Sequence, residues 1–556
     1  MSKYIPYSWL LVSILLTGCA TSQNKLTTKP IKWVDPDTKP IPELKAIDQN
    51  LIWDIVYLTF FNEIGKPLDL GWGSRRLGNI ANVAPPREAD NVNALDETPN
   101  SSWYTNRHFL SPLNTQQLQL GPGDAHPDTT GKWEIIRGKF NGVAPGLTIK
   151  DAKGDVYFIK FEAKGNRELA STADVVSSKI LYAAGYNVPR NSAVYTKPAS
   201  FTIGKHVPYP DGQGGERAMT QSDLDELFSG IASQKDGRIR CLASKRIEGT
   251  PIGIFNFRSR RQDDPNDRVE HEHRRELRGL RVISSWINDV DRRAANTLNM
   301  YVKDQNGHGY VKHYLIDMGA SLGSSSIRPR TQKSGNEYIV DLRQIVPSTL
   351  ALGLYRKPWD EPLPMKYPSI GYLESTVFSP ARWVTNYPNS AFQRCTARDG
   401  YWGAKNVMSF TNADIEALVK SGQLSNPDAE KELTRLLQER RDKIGRHWFA
   451  KINPLDHFWI DKQGLHFEDL AVKGNIAQAK QTSYRYHIYD QSGMPAVQNQ
   501  TQSTTHIPLP PNLPSKQYHS IEIRTQRPNA STKPTRVFFY KWDDGRYQIV
   551  KIERDT

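Results

Sequence analysis

The sequence predicts an α+β protein: a two-lobed central domain carrying an N-terminal arm and a C-terminal β-rich domain. Three observations predict it. Residues 133–162 hold strand-length apolar runs broken by glycines, and a helix-length amphipathic run, ELASTADVVSSKILYAAG, follows them. A second amphipathic run, with Leu277, Leu280, Ile283 and Ile287 on one face, leads to the apolar runs TLNMYV and YVKHYLI. These two runs flank DQNGHG, whose Asn306-Gly307 pair is a hairpin turn signal. After Asn453-Pro454 the composition changes to short alternating runs (SYRYHIYD, HSIEIRTQ, TRVFFYKW, YQIVKIER) separated by Gly, Pro and Asn, which reads as a β-sandwich-like domain over 455–556.

At 556 residues, the chain is long enough for several cores. Apolar residues at 38% and aromatics at 10% exclude a disordered chain and a multi-spanning membrane protein. The net charge of +14 favours anionic partners: a small anionic molecule, a lipid head group or an acidic envelope protein. A solvated basic surface is the plainer reading, and no basic run is long enough to argue for nucleic acid. Lys3 and the apolar stretch 7–16, too short to span a bilayer, form a signal-peptide pattern. It ends in Leu16-Thr17-Gly18-Cys19, which resembles the bacterial lipobox. The resemblance implies a signal peptide over 1–18, a palmitate-type lipid anchor at Cys19 and a polar tether over 19–42. With Ala20 rather than Asp after the cysteine, it also implies the outer membrane, on either face. Cys241 and Cys395 are open to pairing in an oxidising envelope or to remaining two buried thiols, and neither has metal-ligand spacing.

Taken in order, residues 43–132 read as a wrapping segment with a helical candidate at 51–61 and a stretch, DETPNSSWYTNRH, that carries no evident chemistry. Residues 133–250 read as the first lobe. There Gly138, Gly142 and Gly146 lie between strands, where bare backbone can approach a phosphate or simply make a turn. Lys160 interrupts the apolar strand VYFIKFE and needs a partner unless the strand edge leaves it in solvent. Glu168 is the first candidate and Asp174 the alternate, although Glu168 also suits the first turn of the following helix. Further strands with a helical insert, TQSDLDELFSG, lead into the second lobe, 251–454. Arg274, Arg275, Arg278 and Arg281 give its first helix a basic side, either solvated or facing an anionic substrate. His271-Glu272-His273 invites a metal reading, but Arg275 breaks the H-E-x-x-H pattern. Thr411-x-x-Asp414 is a capping box, and Asn426-Pro427 starts a long helix.

The chemistry concentrates between Asp291 and Gly319. Asn296 stands five residues after Asp291, the hairpin follows, and its second strand runs into Asp317-Met318-Gly319. An Asp-x-x-x-x-Asn loop, a hairpin and an Asp-x-Gly resemble the metal and phosphate end of the protein-kinase-like superfamily. The likeness is nearer to its divergent members, the HipA-type and phosphoinositide-kinase-like proteins. Val290 replaces the usual Arg, Met318 the usual Phe, and the 21 residues from Asn296 to Asp317 exceed ordinary protein-kinase spacing. Over roughly residues 133–450 the resemblance implies a two-lobed kinase-like fold that binds ATP or another nucleotide with Mg²⁺ or Mn²⁺. Asp291 would orient or deprotonate a hydroxyl acceptor, Asn296 and Asp317 would hold the metal, Lys160 and Glu168 would fix the phosphates, and Gly138, Gly142 and Gly146 would cover them. The alternative is a non-catalytic, pseudokinase-type envelope binding or scaffold lipoprotein. A metallohydrolase lacks the histidine cluster it would need.

Overall fold

The computed structural model describes residues 26–47, 86–139, 144–211, 215–351, 354–361, 364–531 and 533–556. The expected signal peptide over 1–18, Cys19, the helical candidate at 51–61 and Gly142 lie outside the described residues. Within them no helix is long and apolar enough to cross a membrane.

The described part of the stretch read as a polar tether, 26–42, packs on the body instead, pinned by specific polar contacts. Asp37 accepts hydrogen bonds from the Ser102 backbone N–H (3.0 Å) and hydroxyl (2.8 Å), and Val34 bridges Asn100. The stretch whose chemistry was not legible, DETPNSSWYTNRH, is a buried wedge: Trp103 stacks on His313 of the second-lobe hairpin with ring centroids 3.5 Å apart. Asn187 Nδ2 donates to the carbonyls of both Ser102 (2.9 Å) and His313 (3.0 Å), so wedge, first lobe and hairpin share one amide. A short helix α1 (Thr115–Leu120) follows, closed by an Asn114–Gln117 capping box.

The first lobe is a six-stranded sheet and one long helix. In chain order the elements are β1 (Trp133–Gly138), β2 (Gly146–Lys150), β3 (Val156–Phe161), α2 (Leu169–Ala183), β4 (Asn191–Thr196), β5 (Phe201–Ile203), the hairpin β6 (Pro208–Pro210) and β7 (Glu216–Ala218), α3 (Gln221–Ser229), β8 (Ile239–Lys245) and β9 (Thr250–Pro251). The sheet order is β4-β8-β3-β2-β1-β5, antiparallel except for β1 with β5. Alternation buries Ile149, Tyr157, Ile159 and Phe161 on one face. Glu162, just past β3, accepts the backbone N–H groups of Ala170 (3.3 Å) and Ser171 (3.0 Å), which ties the end of that strand to the start of α2. Helix α2 is buried on all sides. Val175 packs against the sheet, and Ala173, Val176 and Ile180 join the core of the second lobe.

The second lobe comprises α4 (Arg275–Trp286), the hairpin β10 (Thr297–Lys303) and β11 (Gly309–Leu315), α5 (Leu342–Leu350), α6 (Ala397–Met408), α7 (Asn412–Lys420) and α8 (Pro427–Phe449). The hairpin turns at Asn306-Gly307, with Gly307 at φ 79°. The expected caps form at Thr411 and Asn426. Helices α4 and α6 cross at bare backbone: a Cβ on Gly279 would lie 2.4 Å from the Trp402 ring, and one on Gly403 2.7 Å from the Gly279 carbonyl. The basic side of α4 corrects both sequence readings at three of its four arginines. Arg274, Arg275 and Arg278 are neither solvated nor substrate-facing but fully buried. Arg275 meets Asp96 of the arm (3.0 Å) and Asp399 of α6 (2.7 Å), Arg278 meets Asp399 (3.2 Å), and Arg274 meets Asp267 (3.1 Å). Buried guanidinium is costly unless paired, and these carboxylates supply the pairing.

The C-terminal part is two antiparallel sheets over one core, as the alternating runs predict. Strands β12 (Leu455–Ile460), β13 (Gly464–Asp469), β14 (Ser483–Tyr489), β15 (Pro495–Gln502), β16 (His506–Pro508), β17 (Gln517–Gln526), β18 (Thr535–Lys541) and β19 (Tyr547–Arg554) form the orders β12-β13-β16 and β15-β14-β17-β18-β19. Leu465, Phe467, Ile488, Ile521, Val537 and Phe539 fill the space between them. Arg554 at the end of the last strand reaches Asp96 (3.6 Å) and Asp456 (3.1 Å), so the arm, α4 and the C-terminal sheets converge on one buried charge network. Cys241 and Cys395 are both free thiols.

Candidate active site

Lys160, in the middle of the sheet, reaches across the gap between the lobes. Its ammonium lies 3.3 Å from Asp174 Oδ2 on α2 and 2.8 Å from Asp317 Oδ1 just beyond β11. Burial opposes its charge, but the two carboxylates outweigh burial and push the lysine above its ordinary range. Asp174 is fully buried and fixed from three directions. Besides Lys160 it accepts Asn191 Nδ2 (3.1 Å) and the Met318 backbone N–H (3.2 Å). Burial raises its pKa, and Lys160 offsets only part of that. Burial works in the same direction on Asp317, yet the Lys160 ammonium holds that carboxylate below its usual range.

Glu168, the first candidate for the lysine's partner, is elsewhere. It occupies the N-cap of α2 at φ 66°, and its carboxylate accepts the Ser425 backbone N–H at 3.0 Å. The alternate, Asp174, occupies the role. A Cβ on Gly138 would lie 2.4 Å from the Tyr209 ring, and one on Gly146 2.5 Å from the Ile159 carbonyl, so at both glycines the missing side chain makes room for protein atoms.

The Asp291 loop is built on a buried ion pair. Arg292 clamps Asp289 through Nε (2.8 Å) and Nη2 (2.7 Å) and donates to the carbonyls of Asn296 (2.8 Å) and Ile316 (3.0 Å). That spends Asp289 on structure and leaves Asp291 as the partly exposed carboxylate of the loop. Asn296 Nδ2 donates to the Asp291 carbonyl (2.7 Å) and to its Oδ2 (3.1 Å). With the amide NH₂ so engaged, the Asn296 carbonyl oxygen is the atom left for a cation. The Ile316 N–H donates to the Asn296 backbone carbonyl at 3.0 Å, which sets that loop beside the residue preceding Asp317.

Asp317 has a half-exposed side chain and a left-handed backbone, φ 53°. Next to it, a Cβ on Gly319 would fall 3.3 Å from Asp174 Oδ2 and 3.6 Å from Asp317 Oδ1, so bare backbone lets the two carboxylates approach. Two carboxylates beside a lysine, with the Asn296 loop adjoining, are the residue types that suit a hard divalent cation carrying a phosphate chain. Among the described residues no group of three or more His, Cys, Asp or Glu could hold a metal ion, so this site offers two carboxylates and an amide rather than a closed protein cage. His271 instead bonds Asp267 (2.8 Å) and the Asn256 carbonyl (2.5 Å).

Two basic residues at the site were not anticipated. The register that pairs Gly138 with Leu147 and Gly146 with Lys160 continues to place Lys139 opposite Gly146, in one cross-strand row with Lys160. Its stem passes 3.2 Å from where a Gly146 Cβ would stand, and its Nζ donates to the Ala144 carbonyl at 2.5 Å. Burial, then repulsion from Lys160, lowers its pKa. Arg330 is lowered by burial, against the attraction of Asp291 and Asp289. Lys139 was within reach of a sequence reading, because hairpin pairing through Gly146 puts both lysines on one face. Arg330 carried no such signal. The order of parts is kinase-like throughout: lysine strand, carboxylate helix, Asp–Asn loop, hairpin, Asp-x-Gly.

Among solved structures, the Helicobacter pylori proinflammatory kinase CtkA aligns with 58% of this chain and 97% of its own, at 10% identity and a TM-score of 0.30. The Golgi casein kinase with Mn/ADP bound aligns with 75% of this chain and 96% of its own, at 10% identity and a TM-score of 0.27. Hydra Fam20 with sugar aligns with 57% and 97%, at 9% identity and a TM-score of 0.22. No family model and no curated protein sequence matches the chain.

Proposed function

We propose that the chain transfers a phosphoryl group from a Mg²⁺- or Mn²⁺-bound nucleotide, ATP or a relative, to a hydroxyl acceptor. The observation that carries this reading is Lys160 meeting Asp174 at 3.3 Å and Asp317 at 2.8 Å, three charges from three separated segments gathered between two lobes. The metal, when bound with the nucleotide, neutralises charge on the phosphates. Asp317 and the Asn296 carbonyl oxygen hold it. Lys160, fixed by Asp174, binds phosphate oxygens, and Lys139 extends that positive row along the sheet. Asp291 accepts the acceptor's hydroxyl proton as the new O–P bond forms and the bond to the leaving phosphate breaks. Asn296 aims the Asp291 carboxylate through its 3.1 Å hydrogen bond. The lipobox ending in Cys19 supports an outer-membrane lipid anchor for this body, with envelope molecules as its acceptors.

One observation favours the non-catalytic alternative: Arg293 Nε lies 3.1 Å from Asp291 Oδ1, an ion pair that occupies an oxygen the acceptor hydroxyl would need. Release of γ-phosphate to water, measured with the full chain, Mn²⁺ and labelled ATP, separates the readings. Slow turnover lost in Asp291→Asn, with nucleotide binding retained, supports transfer. Binding without turnover in the parent chain supports the alternative.

A further inference from the structure

Helix α4 ends in a different electrostatic setting from the one in which it begins. Arg274, Arg275 and Arg278 each meet carboxylates, whereas among the described residues Arg281 donates to the carbonyls of Ala381 (2.9 Å) and Trp383 (3.1 Å). It opens onto a cleft of about 610 Å³, which Arg382 and Lys451 also line. Among the described residues none of these three cations has a carboxylate partner and no Asp or Glu lines the cleft. Their charge is felt locally. His447 is pushed down to about 4 by burial and then by Lys451 and Arg281, and Lys451 is lowered by burial and by Arg281.

The rest of the lining is flat and amide-rich. Trp359, Trp383 and Trp448 contribute indoles, with Arg382 over the first (5.7 Å) and Lys451 over the last (4.7 Å). Asn336 and Gln344 add carboxamides, which both donate and accept, as sugar hydroxyls do. The buried ring nitrogens His447 Nε2 and Trp448 Nε1 have no hydrogen-bond partner among the described residues. Positive charge without a counter-ion among the described residues, indoles in the wall and two-way hydrogen-bonding amides are complementary to an anionic group on a hydroxylated ring. We propose that this cleft binds an anionic saccharide, a sugar ring bearing a phosphate or a carboxylate. The cleft touches the proposed transfer site: Asn389 on its wall donates to the Arg292 carbonyl at 3.1 Å. The binding itself does not depend on phosphoryl transfer.

The test is calorimetric titration of the full chain, in detergent and without nucleotide, with glucose 6-phosphate, glucuronate, glucose, inorganic phosphate and adenosine monophosphate. The two anionic sugars are expected to bind saturably, at least about tenfold tighter than glucose or phosphate alone, and the Arg281→Gln/Arg382→Gln variant to lose about tenfold or more. If that variant does not fold, Lys451→Gln, at an exposed side chain, is expected to weaken the same sugars. Equal binding of glucose or phosphate, tighter binding of adenosine monophosphate, or sugar affinity unchanged in the folded variant overturns the proposal.

Discussion

Replacing Asp174 by Asn and, separately, Glu168 by Gln tests which carboxylate serves Lys160. At the 3.3 Å separation of Lys160 and Asp174, and an effective dielectric of about 20, the bare attraction is about 5 kcal/mol. The net loss is smaller, because the lysine side chain is 25% exposed and keeps Asp317 at 2.8 Å. What disappears is one charge-assisted hydrogen bond, about 1.5–3 kcal/mol. Freed from Asp174, Lys160 settles on Asp317 and competes with the metal. The same free energy then appears as a loss of roughly 10- to 150-fold in affinity for Mg²⁺-ATP. Glu168→Gln keeps an oxygen for the Ser425 N–H and touches no charge of the site, so its affinity stays within about twofold of the parent. Calorimetric titration of the two folded variants with Mg²⁺-ATP reads the difference. If Glu168→Gln weakens binding as much as Asp174→Asn, or Asp174→Asn binds like the parent, the assignment of Asp174 is wrong.

Other outcomes follow from the same geometry. Lys139→Met should weaken nucleotide binding by about tenfold, the worth of one charged hydrogen bond, and an unchanged dissociation constant would remove Lys139 from the site. Arg275→Met strands Asp96 and Asp399 in the interior and should cost about 3–5 kcal/mol in denaturant unfolding, whereas Arg546→Met, at an exposed pair with Asp544, should cost less than about 1 kcal/mol. Similar losses for the two would contradict the buried network. His447, buried near Lys451 and Arg281, has its pKa lowered to about 4 from 6.5. Between those values the unfolded chain binds a proton that the folded chain does not, so the stabilising contribution is complete above pH 6.5 and falls away as the pH drops toward 4. Unfolding midpoints at pH 7 and about 5 should therefore lie closer together in His447→Asn than in the parent, and an equal gap would remove His447 from the pH response.

What was legible in the sequence was whatever local pattern encodes. The Asn306-Gly307 hairpin, the Thr411 and Asn426 caps and the alternating C-terminal strands all form as their spacing predicts. Lys160 was found because an ammonium in an apolar strand demands a partner. The partner was harder. Glu168 and Asp174 point to different faces of α2, and 13 of its 15 residues are buried, so no polar stripe reveals which face meets the sheet. Distance in the chain hid the rest. Arg275 and Asp96 lie 179 positions apart, and Arg278 and Asp399 lie 121 apart, so a buried ion-pair network reads locally as a basic helix face. Gly138 was similarly opaque, because the ring that occupies its missing side chain is Tyr209, beyond an entire helix and four strands.

The central claim is a metal-dependent nucleotide site at Asp317. Its most direct test is thermal unfolding of the full chain with ATP and Mg²⁺ or Mn²⁺, beside the Asp317→Ala variant. At a ligand concentration of about 100 times its dissociation constant, the parent should gain about 2.7 kcal/mol and a raised melting temperature. That gain should need the metal and vanish in the variant. No shift with any nucleotide, or the same shift in Asp317→Ala, would contradict the account.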